Sequence, residues 1–257
     1  MEWIVIGLSA CLTSALTLFS GFGLGTLLLP AFAFFFPLEL AVAMTAIVHL
    51  FNNGFKLFLV GRRADFRTVL QFGGPAVVAA FVGAGLLVWL TDIPPLATWE
   101  LAGRTLKVSS LNLCLAALMA GFAILEMWPT FSSWSVPRKF LPLGGLLSGF
   151  FGGLSGHQGA LRSVFLLRAG LSKETFIGTG VVIACLVDIS RLSLYARKMS
   201  TSLTGKDIPL LLFAMGMAWM GAFVGSRLLH KVTLRKVQII VAVLLLLIAI
   251  MLGTGWI

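Results

Sequence analysis

The chain has 257 residues, 59% of them hydrophobic and only 11% charged, with a mean hydropathy of +1.03. Soluble domains are closer to half apolar and a quarter charged, so the composition excludes a soluble globular protein and predicts an all-α, polytopic integral membrane protein in a lipid bilayer. The formal net charge of +10 does not point to nucleic acid, because Lys and Arg stand at span ends and in short loops, where positive-inside topology accounts for them.

In chain order, Glu2 is the only charge before a long apolar run, so the N-terminus lacks the basic start of a secretory signal and reads as mature protein. Residues 3–36 are apolar throughout, which as one helix is roughly 50 Å, too long for one crossing. Gly21, Gly23, Gly25 and Pro30 break this run. Clear spans follow at 38–60, 70–90 and 108–127, then a linker at 129–140. Residues 141–169 form a second overlong apolar run, broken by Gly149, Gly152, Gly153, Gly156 and Gly159. Spans at 174–195, 208–229 and 237–256 complete the chain. Each broken run reads as a pair of half-helices or a tight hairpin whose tip is buried in protein, since lipid cannot satisfy unwound backbone.

The sequence repeats itself. Ala80-Phe81-Val82-Gly83-Ala84-Gly85-Leu86-Leu87 returns as Ala222-Phe223-Val224-Gly225-Ser226-Arg227-Leu228-Leu229, identical at six of eight positions. Lys56, Arg62 and Arg63 are matched 135 residues later by Arg191, Arg197 and Lys198. The whole of 1–257 is therefore expected to be one membrane transporter domain of two homologous repeats, 1–128 and 141–257, each a broken segment plus three transmembrane helices. If the broken segments turn back, the halves are inverted and loop Lys and Arg divide about ten to five between the two sides; if they cross once, about eight to seven. The bias favours inverted repeats.

The candidate site lies where the breaks meet. A half-helix starting inside the membrane offers free N–H groups and a positive dipole end, and glycine lets an anion approach them. That singles out Gly23, Gly25, Gly156 and Gly159, with His157 and Gln158 in the second tip. Arg162 follows this tip, and Lys56 and Arg191 occupy matching places on the second helix of each half. Buried cations mark a pathway by default, although Lys56 and Arg191 are near enough to span ends to snorkel. Asp188 shares a helix face with Arg191, as an ion-pair partner or a proton carrier. His49, near Asn52 and Asn53, and His157 are further proton-coupling candidates. Cys11, Cys114 and Cys185 are far apart, without a CxxC or Cys/His pairing, and imply neither a metal site nor a disulfide framework. No nucleophile–base pattern or Walker loop argues for an enzyme, and no cofactor is implied.

These features together resemble the sulfite exporter TauE/SafE family of membrane permeases. The resemblance rests on the length, the two halves, and the elements Gly21-Phe-Gly-Leu-Gly-Thr-Leu-Leu-Leu-Pro30 and Ser148-Gly-Phe-Phe-Gly-Gly-Leu-Ser-Gly-His-Gln-Gly159. The Ala-x-x-Gly-x-x-Leu pattern and Gly178-Thr179 agree with it. It implies export of sulfite, an organosulfonate or a related small anion across the bacterial inner membrane; the lack of a nucleotide-binding sequence points to coupling with the proton gradient. Two departures concern the tip: the usual triple glycine is replaced by Gly156-His157-Gln158-Gly159, and Arg162 stands where a proline is expected. The alternatives are a passive anion channel and a non-transporting scaffold or maturation factor. The oligomeric state is left open, a homo-oligomer included.

Overall fold

A computed structural model describes residues 1–20, 24–101, 103–128, 136–167, 169–228 and 234–257. The fold is helical. The first broken run is α1 (Glu2–Ser20) and α2 (Leu24–Ala33); α3 (Leu38–Val60) follows. A short turn leads into α4 (Phe66–Thr68), which continues through a π-helical turn at Val69–Gly73 into α5 (Gly74–Thr91). After α6 (Ser110–Met127) the second half comprises α7 (Leu141–Ser155), α8 (Gly159–Leu166), α9 (Lys173–Ser202), α10 (Asp207–Leu228) and α11 (Leu234–Gly253). Stretches 38–58, 66–91, 173–196 and 207–225 are long and apolar enough to cross a membrane; α1, α6 and α11 supply shorter apolar helices.

The sequence reading missed one element. An antiparallel hairpin, β1 (Ala97–Leu101) with β2 (Arg104–Val108), joins α5 to α6. It rests on the end of the chain: Trp99 Nε1 donates to Thr254 O at 3.1 Å, and Asn112, just beyond, donates to Ile257 O at 3.1 Å.

Two packing rules organise the helices. The first helix of each half runs parallel to, and packs closely on, the third-helix region of the other half: α7 on α5, and α1 on α10. A methyl group on Gly145, Gly149 or Gly153 would collide with the carbonyl oxygens of Phe72, Ala76 and Ala80, one turn after another. Gly221 meets Cys11 O in the same way, and Gly225 meets the backbone of Ala15. Small residues at such spacing let helix backbones touch in a membrane. The repeated octapeptides are these contacts, with Gly83 packed on Phe150 and Gly225 on Ala15. Corresponding helices, by contrast, run antiparallel. Val60 lies by Gly178 while His49 meets Asp188, aligning α3 against α9; Ala116 lies by Gly253 while Asn112 meets Ile257, aligning α6 against α11.

The second broken run is a hairpin. The α7 helix continues through Gly149, Gly152 and Gly153, which were expected to break it, and stops only at Gly156. There φ is +83°, a left-handed value that suits glycine. The α8 helix then folds back along α7, placing Gln158 against Gly152 and Phe165 against Gly144. Gly21 and Gly23 of the first break lie outside the described residues, as do 129–135 of the linker.

At the α3–α4 corner, Asp65 caps α4 by accepting from Thr68 N at 3.0 Å and from the Thr68 hydroxyl. Its own N–H donates to Thr179 Oγ1 at 2.9 Å, and Arg138 lies 3.7 Å from its carboxylate. The Thr68 hydroxyl bond, ahead of the backbone bonds and Arg138, holds the Asp65 carboxyl below its usual range. A depressed folded value stabilises above the unfolded carboxylate range and is lost as pH falls through the folded one. D65A should therefore melt below wild type at neutral pH, with the gap closing in acid in a thermal-melt series.

Substituting the helix contacts separates packing from propensity. G149A drives a methyl into the Ala76 backbone and should lower the melting temperature of the detergent-solubilised protein sharply. G54A enters open space on α3 and should raise stability by about 0.5–1 kcal/mol.

Candidate functional site

The hairpin tip, α3 and α9 enclose a buried polar cluster. Lys56 and Arg191 do not snorkel: Arg191 is 0% exposed and Lys56 8%. Asp188, also fully buried, divides its two oxygens. Oδ1 accepts from Arg191 Nη2 at 2.7 Å and Nε at 3.0 Å, while Oδ2 lies 2.6 Å from His49 Nδ1. The i, i+3 spacing on α9 puts Arg191 beside Asp188, and the antiparallel crossing of α3 brings His49 from the other half. Asn53, the repeat counterpart of Asp188, reaches the His49 ring at 3.1 Å.

From the tip, Gln158 Nε2 points to Asp188 Oδ1 at 3.5 Å and Gln158 Oε1 accepts from Arg162 Nη1 at 3.4 Å. Arg162 is buried, with its Nε 3.5 Å from where a methyl on Gly180 would stand. Lys56 is within electrostatic range of Arg162, and Cys185 of Lys56, Arg162 and Asp188 together. Gly156 faces Arg191, whose Nη1 would be 2.9 Å from an added methyl and has no hydrogen-bond partner among the described residues. Gly159 opens α8, whose first amides precede the first helical bond, Arg162 N to Gln158 O.

The tip thus collects Gly156, Gln158, Gly159 and Arg162 with Lys56, Asp188, Arg191 and His49, all singled out in the sequence. His157 is buried in the same tip but takes other partners. Its ring stacks on Phe122 of α6 with centroids 5.3 Å apart, and its Nδ1 lies 3.0 Å from Ser155 Oγ. Gly25 falls in the first turn of α2, and Gly23 lies outside the described residues. The sequence singled out Cys185 only as implying no metal site or disulfide, although it precedes Asp188 by one turn. Sequence reasoning missed Ser148, whose hydroxyl donates to Gln158 O at 2.9 Å and pins the tip.

A family model described as Sulfite exporter TauE/SafE matches residues 6–252. The chain belongs to the TauE/SafE sulfite exporter family. It is accordingly a membrane protein of a family of transporters of sulfur compounds, set in a bilayer and acting on a small molecule. No curated protein and no solved structure matches it.

Removing one member of a buried ion pair strands the other, at about 3–5 kcal/mol. D188A in this TauE/SafE protein should therefore lower the melting temperature strongly. The double variant D188A/R191A should recover part of the loss, giving a positive coupling in a double-mutant thermal-melt cycle.

Proposed function

We propose that this protein is a secondary transporter exporting a small sulfur oxyanion, sulfite or an organosulfonate, across the bacterial inner membrane. One observation carries this reading. Among the described residues the buried charged groups are three cations, Lys56, Arg162 and Arg191, and one carboxylate, Asp188. Whichever cations share Asp188, the sum stays positive. Charge inside a membrane protein costs several kcal/mol unless it is compensated, and an anion arriving at the tip compensates it. Guanidinium groups hold a small oxyanion through paired hydrogen bonds, and the start of α8 adds amide N–H groups of the same polarity.

The substrate site comprises Gly156, Gln158, Gly159, Arg162, Lys56 and Arg191, to which the sequence adds Gly23, Gly25 and His157. The inward proton gradient drives export, with Asp188 and His49 as the proton-carrying pair and His157 as a second carrier. Their 2.6 Å contact supports this, since a proton shared between imidazole and carboxylate responds to an anion's field nearby. The repeats, 1–128 and 141–257 around the linker 129–140, are inverted. In favour of inversion, α3 and α9 run antiparallel, as do α6 and α11, which is how elements mated by an axis in the membrane plane must run.

The test is counterflow in proteoliposomes. Preloaded sulfite should accelerate entry of labelled sulfite, saturably, and R162A should reduce the rate at least tenfold without preventing insertion. Non-saturating flux without counterflow means a pore; an R162A variant as active as wild type in cells means a scaffold. Either contradicts the proposal.

A further inference from the structure

Gln158 sits at the centre of the cluster and contributes no cap to the helix it begins. It is the N-cap residue of α8 yet makes no side-chain capping bond. A polar side chain only 1% exposed must find its partners elsewhere. It finds two of opposite charge: Oε1 accepts from Arg162 at 3.4 Å, and Nε2 donates to Asp188 at 3.5 Å. Both distances exceed the roughly 2.7–3.2 Å of a well-formed N–H···O bond. Its backbone, by contrast, is fixed: Ser148 donates to its carbonyl at 2.9 Å, and its Cβ would lie 2.9 Å from a methyl on Gly152. The residue is anchored at its root and loosely held at its head.

We infer that the Gln158 amide is a stand-in for the substrate: Oε1 takes the position on Arg162 that an oxygen of the transported anion occupies, and the anion displaces it. This rests on the anion-transport reading and changes the part Gln158 plays in it, from ligand to competitor. An amide carbonyl is a neutral acceptor, whereas an oxyanion adds its own charge and can take two parallel N–H groups of the guanidinium. Sulfite and sulfonates therefore outcompete Gln158, and neutral solutes of the same shape do not. The side chain sets a threshold of acceptor strength, so selectivity against uncharged analogues comes from competition inside the site.

The experiment is a thermal-shift titration of the full-length protein in detergent with sulfite, methanesulfonate and the neutral isostere methanesulfonamide, since a ligand of the folded state raises its melting temperature. Wild type should respond to the two anions and ignore the sulfonamide. Q158L keeps the bulk and removes both bonds. It should bind sulfite about tenfold more tightly, the low end of the worth of one hydrogen bond to a charged group, and acquire a response to methanesulfonamide. Q158E sets one carboxyl oxygen beside Arg162 and the other against Asp188, so it should weaken sulfite binding at least tenfold and melt below wild type. If Q158L does not fold, Q158N, one methylene shorter than the reach required, carries the same test. Weaker sulfite binding by Q158L would make Gln158 a direct ligand, and unchanged affinity with unchanged rejection of the sulfonamide would make it packing; both overturn the inference alone. A wild-type protein indifferent to every anion overturns the transport reading, and this one with it.

Discussion

One carboxylate holds the interior together. Asp188 gives one oxygen to Arg191 and Gln158 and the other to His49, joining α9, the α8 tip and α3. In a bilayer such a group is tolerated only when its neighbours replace the water it has lost. Asp188 fixes where the two halves cross, because its partners come from both. It also leaves the cluster with more positive than negative charge, and that surplus is the chemical content of the site.

The helix contacts make the arrangement possible. A hairpin with an unwound tip cannot face lipid, so its tip must be buried in protein. The glycine-to-carbonyl contacts bring the backbones of α5 and α7 together, and α10 packs on α1 in the same way. The first helix of each half packs on the other half, and the repeated octapeptides supply part of that contact. Phe165 folding back on Gly144 and the serine bond from Ser148 then set the height at which Gln158 meets Asp188.

Much of this was legible before any coordinates. The span predicted at 38–60 is α3, and the second tip is where glycines and polar residues interrupt an overlong apolar run. Lys56, Arg162, Asp188 and Arg191 stood out because charge within an apolar run is expensive. Other features belong to tertiary contact and leave little local trace. Gly149 and Gly153 looked like breaks, but they continue a helix, since a membrane helix tolerates glycine when a neighbouring backbone fills the space. His157 looked equivalent to Gln158, its neighbour, yet the left-handed turn at Gly156 sends it to Phe122 and leaves Gln158 at the charges. Cys185 carried only the helical spacing to Asp188 as a signal. The β-hairpin at 97–108 was hidden because its strands are five residues each and lead directly into an apolar helix.

The surplus positive charge at the α7–α8 tip should receive an oxyanion. Selenite, an isostere of sulfite whose selenium scatters X-rays anomalously, tests this most directly in crystals of the full chain. One anomalous peak should appear beside Arg162, within reach of Lys56 and the amides at the start of α8, with Gln158 turned away from the guanidinium. A structure saturated with selenite whose only peaks lie outside the tip, or whose Gln158–Arg162 contact persists beneath the bound anion, would contradict it.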